Sequence, residues 1–159
     1  MNANIAMPKI DTATLTPRVG SPNYPARYKP VCAGRHKTAL GNAAGLTQFG
    51  VNLTRLEPGA ASALRHWHEN EDEFVYILQG ECVLIENEGE TILKAGDCAG
   101  FKAGVDNGHC LVNKSNADVL YLEIGTRATS DVGHYPDDDL RFERDGTAVR
   151  VLHKSGEPY

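Results

Sequence analysis

The chain has 159 residues, a formal net charge of −5 and no cluster of basic residues. Its length is typical of one domain with one core, and its charge argues against nucleic acid as a partner, because nucleic-acid binding requires a positive surface. It has no long apolar run and no basic-then-apolar start, so the sequence predicts neither a membrane span nor a signal peptide.

The four cysteines are scattered and form no C-x-x-C pair. Three of the four fall in predicted strands, where cysteine most often acts as a small apolar residue. We therefore expect reduced, buried thiols rather than a disulfide or a zinc site, and a cytoplasmic protein.

Residues 1–31 are predicted to form an extended arm, because their five prolines cannot donate to a sheet ladder and allow at most edge pairing. Tyr24 and Tyr28 could dock this arm on a partner subunit, while a partly ordered tail is the alternative. Residues 32–45 read as a short strand and a loop. His36 lies between two cations there, so we expect an exposed or packing residue and not a ligand.

The first clear strand covers residues 46–56, in which Phe49, Val51 and Leu53 alternate with polar or small residues. This period of two predicts a strand with one apolar face. Residues 57–59 (Glu-Pro-Gly) form a turn after it.

Two histidines, His66 and His68, follow one residue apart. In an extended strand they point to the same side while Trp67 points away. Two imidazoles on one face form a pair of ligands suited to a divalent metal. The short acidic segment 69–72 can turn the chain, so that Glu73 on the next strand returns to the same place.

The strand that begins at Glu73 is apolar on both faces. Val75 and Ile77 share a face with Glu73. The opposite face carries Phe74, Tyr76 and Leu78. A small barrel buries only one face of each strand, so the second face requires a cover. Residues 82–85 have the same character. We expect a second subunit and hence a homodimer, with the chain's own arm or tail as the alternative cover.

Short strands and turns continue downstream. Residues 86–94 form a polar hairpin turn and a short strand, and residues 98–108 are rich in glycine and small side chains. Alternation then places His109, Leu111 and Asn113 on one face.

Residues 119–125 form the last clear strand, and its pattern leaves its orientation open. Tyr121 and Glu123 share one face with Val119. The other face carries Leu120, Leu122 and Ile124. Either face could line the interior.

The tail, residues 126–159, contains an acidic cluster at 137–139 that is typical of a solvated turn or a helix cap. Residues 140–144 are expected to pack on the barrel, and a hairpin precedes residues 147–153. Many short strands with no convincing helix predict an all-β barrel or sandwich.

Two stretches resemble the two motifs of the cupin superfamily. His66, His68, Glu73 and Gly80 have the spacing of the first motif, with Gly59 upstream one residue further away than usual. The second motif is matched by Gly96, Gly104, His109 and Asn113. In that motif Lys102 stands where proline is usual, and four residues rather than two precede the histidine. Asn107 occupies the usual histidine spacing, but the interval to Asn113 favours His109.

The resemblance covers about half of the chain and implies a cupin double-stranded β-helix, or jelly-roll barrel, over residues 46–125. Residues 1–45 would then be an N-terminal arm with a first edge strand, and residues 126–159 a C-terminal extension packed on the barrel. The resemblance also implies one divalent transition metal. Its ligands would be His66, His68, Glu73 and His109. This mixed nitrogen and oxygen set suits Fe, Mn, Ni, Zn or Cu.

The chain as a whole is similar to small single-domain bacterial cupins, and one fold hosts many functions. One hypothesis is a small metalloenzyme, dioxygenase- or isomerase-like, that acts on an oxygen-bearing molecule. Tyr76, Tyr121 or Glu123 would then be candidates for proton transfer. The other hypothesis is a non-catalytic, metal-dependent module that binds a sugar or an anion.

Overall fold

The computed structural model describes residues 9–159, so the first eight residues of the predicted arm lie outside the described residues. Within this range the chain forms thirteen β-strands, a short helix α1 (Leu40–Ala43) and two 3₁₀ segments, Thr12–Thr14 and Ala26–Cys32. The strands are β1 Arg18–Val19, β2 Arg35–Thr38, β3 Phe49–Leu56, β4 Trp67–His68, β5 Glu73–Gln79, β6 Glu81–Glu86, β7 Gly89–Lys94, β8 Cys98–Phe101, β9 Cys110–Val112, β10 Val119–Thr126, β11 Ser130–His134, β12 Arg141–Asp145 and β13 Ala148–Leu152.

The strands form three antiparallel sheets. The largest has the order β1-β2-β3-β10-β5-β8, the smallest has the order β7-β6-β9, and the third, β13-β12-β11-β4, joins the tail to the histidine strand. Neighbours in the sheets are distant in sequence, as in β3, β10 and β5, which is typical of a jelly roll. The all-β jelly-roll prediction is confirmed.

One hydrophobic core joins the largest and the smallest sheet. Its buried side chains from the large sheet include Leu56, Ile77, Val119 and Tyr121, each 0% exposed, and those from the small sheet include Leu84. Burial of each aliphatic side chain of this kind contributes about 1.5–3 kcal/mol. This packing supports the strands that form the walls of the cavity described below.

The apolar face of β3 points away from this core. Alternation turns Leu56 and Thr54 inward, and both are fully buried, whereas Phe49 is 40% exposed and Val51 and Leu53 are half-buried. The apolar face that the sequence predicted therefore lies on the outside of the sheet.

The described part of the arm packs against the chain's own tail. Tyr24, Tyr28 and Cys32 form a second buried cluster with Tyr135 and Leu140. The Tyr24 and Tyr135 rings meet edge to face with centroids 6.0 Å apart. β1 adds only two residues at the edge of the large sheet, as the prolines predict.

The outer face of β5 is uncovered by residues 9–159. Val75 and Ile77 are buried, whereas Phe74, Tyr76 and Leu78 are 38%, 40% and 43% exposed. The described part of the arm and the tail therefore do not cover these three side chains.

Three of the four cysteines are buried, as predicted, but Cys98 is exposed, and none of the four is paired within residues 9–159. Cys98 lies opposite Tyr76 in the sheet, so it faces the same uncovered side. In the described range, every helix is too short to traverse a lipid bilayer.

Candidate metal centre

A backbone bridge joins the two histidine-bearing segments. The N–H of His66 donates to the carbonyl of His109 at 3.1 Å, and the N–H of His109 donates to the carbonyl of His66 at 2.9 Å. In β4, Trp67 stacks on His134 with ring centroids 4.3 Å apart, while the rings of His66 and His68 line a cavity. The expected alternation of this strand is therefore present.

Three imidazole nitrogens surround one oxygen of Glu73. Its Oε2 lies 4.0 Å from Nε2 of His66, 3.8 Å from Nε2 of His68 and 3.0 Å from Nε2 of His109. The ligand atoms of His66, His68 and Glu73 all lie within 4.8 Å of one another. Bonds from a metal to nitrogen and oxygen are about 2.0–2.2 Å long, so two donors on one ion lie roughly 3–4 Å apart. The cluster has the dimensions of a metal site.

The second ring nitrogens of two histidines are held by groups outside the cluster. Nδ1 of His66 lies 2.8 Å from the carbonyl oxygen of Leu64, and Nδ1 of His68 lies 2.5 Å from Oδ2 of Asp131. A hydrogen on each Nδ1 leaves the Nε2 lone pair free, which is the usual arrangement of metal-binding histidines. Phe101 stacks on His109 at 3.5 Å and fixes the plane of that ring.

Burial and local charge shift the pKa values of the cluster in different directions. Burial by itself would lower the pKa of His68, but the hydrogen bond with Asp131 and the charge of Glu73 raise it above its ordinary value. Burial lowers the pKa of His66 to about 4, so its imidazole is neutral at neutral pH. Burial by itself would raise the pKa of Glu73, but the hydrogen bond with His109 and the charges of the three imidazoles hold it well below its ordinary value. A neutral imidazole and an ionised carboxylate are the forms that bind a metal ion.

Sequence reasoning missed Asp131, which is 1% exposed and orients His68. Its other carboxylate oxygen accepts the backbone N–H of Asn70 at 2.9 Å. Asp131 lies on β11, which pairs with β4, and no motif spacing connects it with the histidines. The acidic cluster that the sequence did single out faces elsewhere: Asp137 binds Arg65, and Asp139 binds His153.

The cluster lies in a cavity of about 220 Å³, smaller than the ~300–1,000 Å³ of typical pockets for drug-sized ligands. Tyr121 and Glu123 line this cavity, so the undecided strand turns its Val119–Tyr121–Glu123 face inward. Tyr76 is on the outer face and is excluded as a group for proton transfer. The first 45 residues contribute Arg35, and the tail contributes Tyr135.

The remaining candidates lie away from the cluster. His36 contacts Glu57 at 2.8 Å, and His134 contacts Glu69 at 2.7 Å. Asn107, the alternative at the usual motif spacing, donates to Glu86 at 2.9 Å. The loop before His109 is therefore longer than usual, yet His109 reaches Glu73.

Comparison with known proteins places the chain in a family. The family described as Cupin domain matches residues 52–125, a range that contains all four residues of the cluster. A solved structure described as a sugar phosphate isomerase from a cupin superfamily, from Silicibacter pomeroyi, is 43% identical, and the match covers 96% of each chain with a TM-score of 0.92. This chain belongs to the cupin superfamily.

Two further proteins place this cupin among its relatives. The oxalate-binding protein of Thermotoga maritima is 37% identical over 70 residues, which are 44% of this cupin and 55% of that protein, so the chain spans only about half of that relative's length. A solved structure from the same organism, described as a predicted oxalate decarboxylase, has a TM-score of 0.61 over 76% of this cupin and 99% of that chain. At 24% identity that likeness shows the fold alone.

Proposed function

We propose that this cupin binds one divalent transition metal through His66, His68, Glu73 and His109. The proposal is supported by three imidazole nitrogens within 4.0 Å of one carboxylate oxygen. Such a donor set suits Fe(II), Mn(II), Ni(II), Zn(II) or Cu(II). On a six-coordinate ion it leaves room for an oxygen-bearing ligand, which the bound metal would polarise as a Lewis acid.

We further propose that the cupin is a small metalloenzyme that isomerises a small oxygen-bearing molecule of the sugar phosphate class. The observation that carries this proposal is the 43% identity, over 96% of both chains, with a protein described as a sugar phosphate isomerase. Interconversion of an aldehyde and a ketone moves protons between neighbouring carbon and oxygen atoms and consumes no oxidant. The reaction therefore requires a group that accepts a proton and a group that donates a hydrogen bond.

Glu123 suits the first role. Its carboxylate is held by Lys37, with Nζ 2.5 Å from Oε1, and would accept a proton from one substrate carbon and return it to the neighbouring carbon. In place of a hydrogen-bond donor, the bound metal would polarise the carbonyl oxygen. The Tyr121 hydroxyl stays protonated, because burial raises the pKa of this phenol well above 10, and would donate to a substrate oxygen remote from the metal.

A non-catalytic module that holds a sugar or an anion is the second candidate. The observation that favours it is the 37% identity with a protein described as oxalate-binding. A dioxygenase-like reaction uses the same kind of metal site and differs by consuming oxygen.

Metal reconstitution with a substrate panel separates these candidates. We expect protein purified without added metal to contain about one equivalent of a divalent transition metal. Removal by a chelator should abolish interconversion of aldose and ketose phosphates, followed by NMR, and reloading with one of the five metals should restore it. Oxygen uptake with diketones, thiols or phenols would instead support a dioxygenase. Tight ligand binding without turnover would support the binding module.

We also propose that this cupin forms a homodimer through the outer face of the large sheet. The support is the exposed row formed by Phe74, Tyr76 and Leu78, because contiguous exposed apolar patches commonly mark interaction surfaces. We expect a sedimentation mass of twice the 17.2 kDa chain, which Tyr76→Glu reduces to that of one chain. The control Val149→Glu alters a residue of similar exposure outside this sheet. A wild-type monomer would contradict the proposal.

We propose a cytoplasmic location, as the cysteine usage predicts. The support is four unpaired thiols within the described range, three of them buried, since secreted proteins of this size usually pair their cysteines. The acidic net charge supports a small-molecule partner rather than nucleic acid.

A further inference from the structure

Arg35 is a buried cation that lacks an acidic partner among residues 9–159. It lies on β2, is 6% exposed and lines the same cavity as the histidine cluster. Its Nη1 donates to the carbonyl of Ser62, and its Nη2 donates to the carbonyl of Gly20 at 2.8 Å. Its Nε–H has no partner in the described part of the chain. A buried guanidinium bound only to neutral carbonyls is costly, because its charge remains uncompensated.

Two hydroxyl groups near Arg35 are also buried. The register of β2, β3 and β10 places Lys37, Thr54 and Tyr121 in one row across the large sheet. Lys37 lies two residues after Arg35 and therefore on the same face. The buried hydroxyls of Thr54 and Tyr121 face each other across the sheet, and apart from this mutual contact neither has a hydrogen-bond partner in the described residues. Unsatisfied buried donors of this kind call for a ligand or ordered water.

The positive charge around Arg35 favours an anion over water as the ligand of this region. Water can satisfy the free donors of Arg35 and Tyr121, but it does not neutralise the guanidinium. Lys37 is already paired with Glu123, and Arg18, which pairs in register with Lys37, also lines the cavity. Three cations and one carboxylate therefore leave this end of the cavity positive, which favours an anionic ligand.

We propose that Arg35, together with Lys37 and Tyr121, forms a subsite for the anionic group of the ligand, a phosphate or a carboxylate. For the other end of the ligand, the proposal rests on the proposed function: the carbon atom that carries the reacting oxygen lies at the metal centre. The ligand class is thus a small molecule that carries an anionic oxyacid group at one end and a hydroxyl or carbonyl group at the other. The Nε–H of Arg35, which has no partner in the described residues, would donate to an oxygen of either anion.

Calorimetric titration with inorganic phosphate and with acetate tests this subsite in the metal-loaded protein. The two arms distinguish a phosphate site from a carboxylate site by which anion binds more tightly. We expect Arg35→Met to weaken binding of the preferred anion by about 10-fold or more, since hydrogen bonds to charged groups have this weight. The control Arg150→Met removes an exposed arginine paired with Glu143 and should bind the anion as the wild type does.

Tyr121→Phe provides a second test that applies even if Arg35→Met does not fold. Folding of Arg35→Met is at risk because the two carbonyl contacts of Arg35 hold the arm and the Ser62 segment. The only contact of the Tyr121 hydroxyl in the described chain is with the Thr54 hydroxyl, so its removal loses at most one weak internal hydrogen bond. We expect an unchanged or higher melting temperature and anion binding weakened about 5-fold or more. If Arg35→Met does not fold, unchanged anion affinity in Tyr121→Phe overturns the proposal.

His68→Ala separates this subsite from the metal centre. If the anion binds at Arg35, this variant should retain most of the anion affinity although it loses its metal. Anion binding that disappears with the metal, and is insensitive to Arg35→Met, overturns the subsite and leaves the metal centre standing. Anion binding by wild-type protein that contains no metal supports the subsite and contradicts the proposed function. Absence of binding by both anions overturns the subsite.

Discussion

His68→Ala is expected to purify with almost no bound metal, whereas the wild type retains about one ion per chain. The substitution removes one of four proposed donors and also leaves Asp131, which is 1% exposed, without its imidazole partner. Loss of an outer partner alone weakens metal binding by about 10- to 100-fold, so loss of a ligand should exceed ~100-fold. Elemental analysis of both proteins, purified in parallel without added metal, measures the difference.

Two further variants test this prediction by their metal content. Asp131→Asn keeps all four proposed donors but weakens the 2.5 Å contact with Nδ1 of His68, so its metal affinity should fall between those of the wild type and His68→Ala. His153→Ala removes a histidine that contacts Asp139 at 2.7 Å, outside the cavity, and should retain the full metal content. Equal metal in His68→Ala and the wild type would remove His68 from the ligand set.

Gly80→Ala is expected to lower the free energy of unfolding by about 2–4 kcal/mol, a large fraction of the ~5–15 kcal/mol typical of a domain. Gly80 lies between β5 and β6 with a φ of +79°, and a Cβ there would lie 2.7 Å from the carbonyl oxygen of Asp118. The left-handed backbone costs a residue with a Cβ about 1–2 kcal/mol, and the approach to a backbone oxygen adds to this. Urea denaturation at equilibrium measures the loss.

Gly59→Ala is the matched control for this effect. Gly59 has a φ of +82°, but a Cβ there would meet nothing within 4 Å. It should therefore show only the backbone part of the cost, about 1–2 kcal/mol. Equal losses in Gly59→Ala and Gly80→Ala would mean that the approach to Asp118 does not explain the glycine at position 80.

Local patterns predicted much of the cluster. The i, i+2 spacing of His66 and His68 predicted a shared face, and the two motifs added Glu73 and His109; the structure brings all four side chains together. Their role as metal ligands remains a prediction. Periodicity also separated the two faces of β5, because alternation along a strand depends only on neighbouring residues.

Other features could not be read from local patterns. Both faces of β10 are rich in apolar residues, so alternation could not tell which one lies inside; packing against the small sheet turns Tyr121 inward. Asp131 reaches His68 across 63 residues, and Arg35 reaches Ser62 across 27. These contacts depend on pairing between strands that are remote in the chain.

The sequence by itself determined the all-β class and the two apolar faces of β5, because each follows from residue patterns along the strands. The grouping of His66, His68, Glu73 and His109 followed from the resemblance to the two cupin motifs. Only the tertiary structure decided that Asp131 orients a histidine, that Tyr121 and Glu123 face the cavity, and that Arg35 is buried there with no acidic partner in the described part of the chain. The physical reason is that burial and charge compensation are set by which distant strands become neighbours, and residue spacing does not record this.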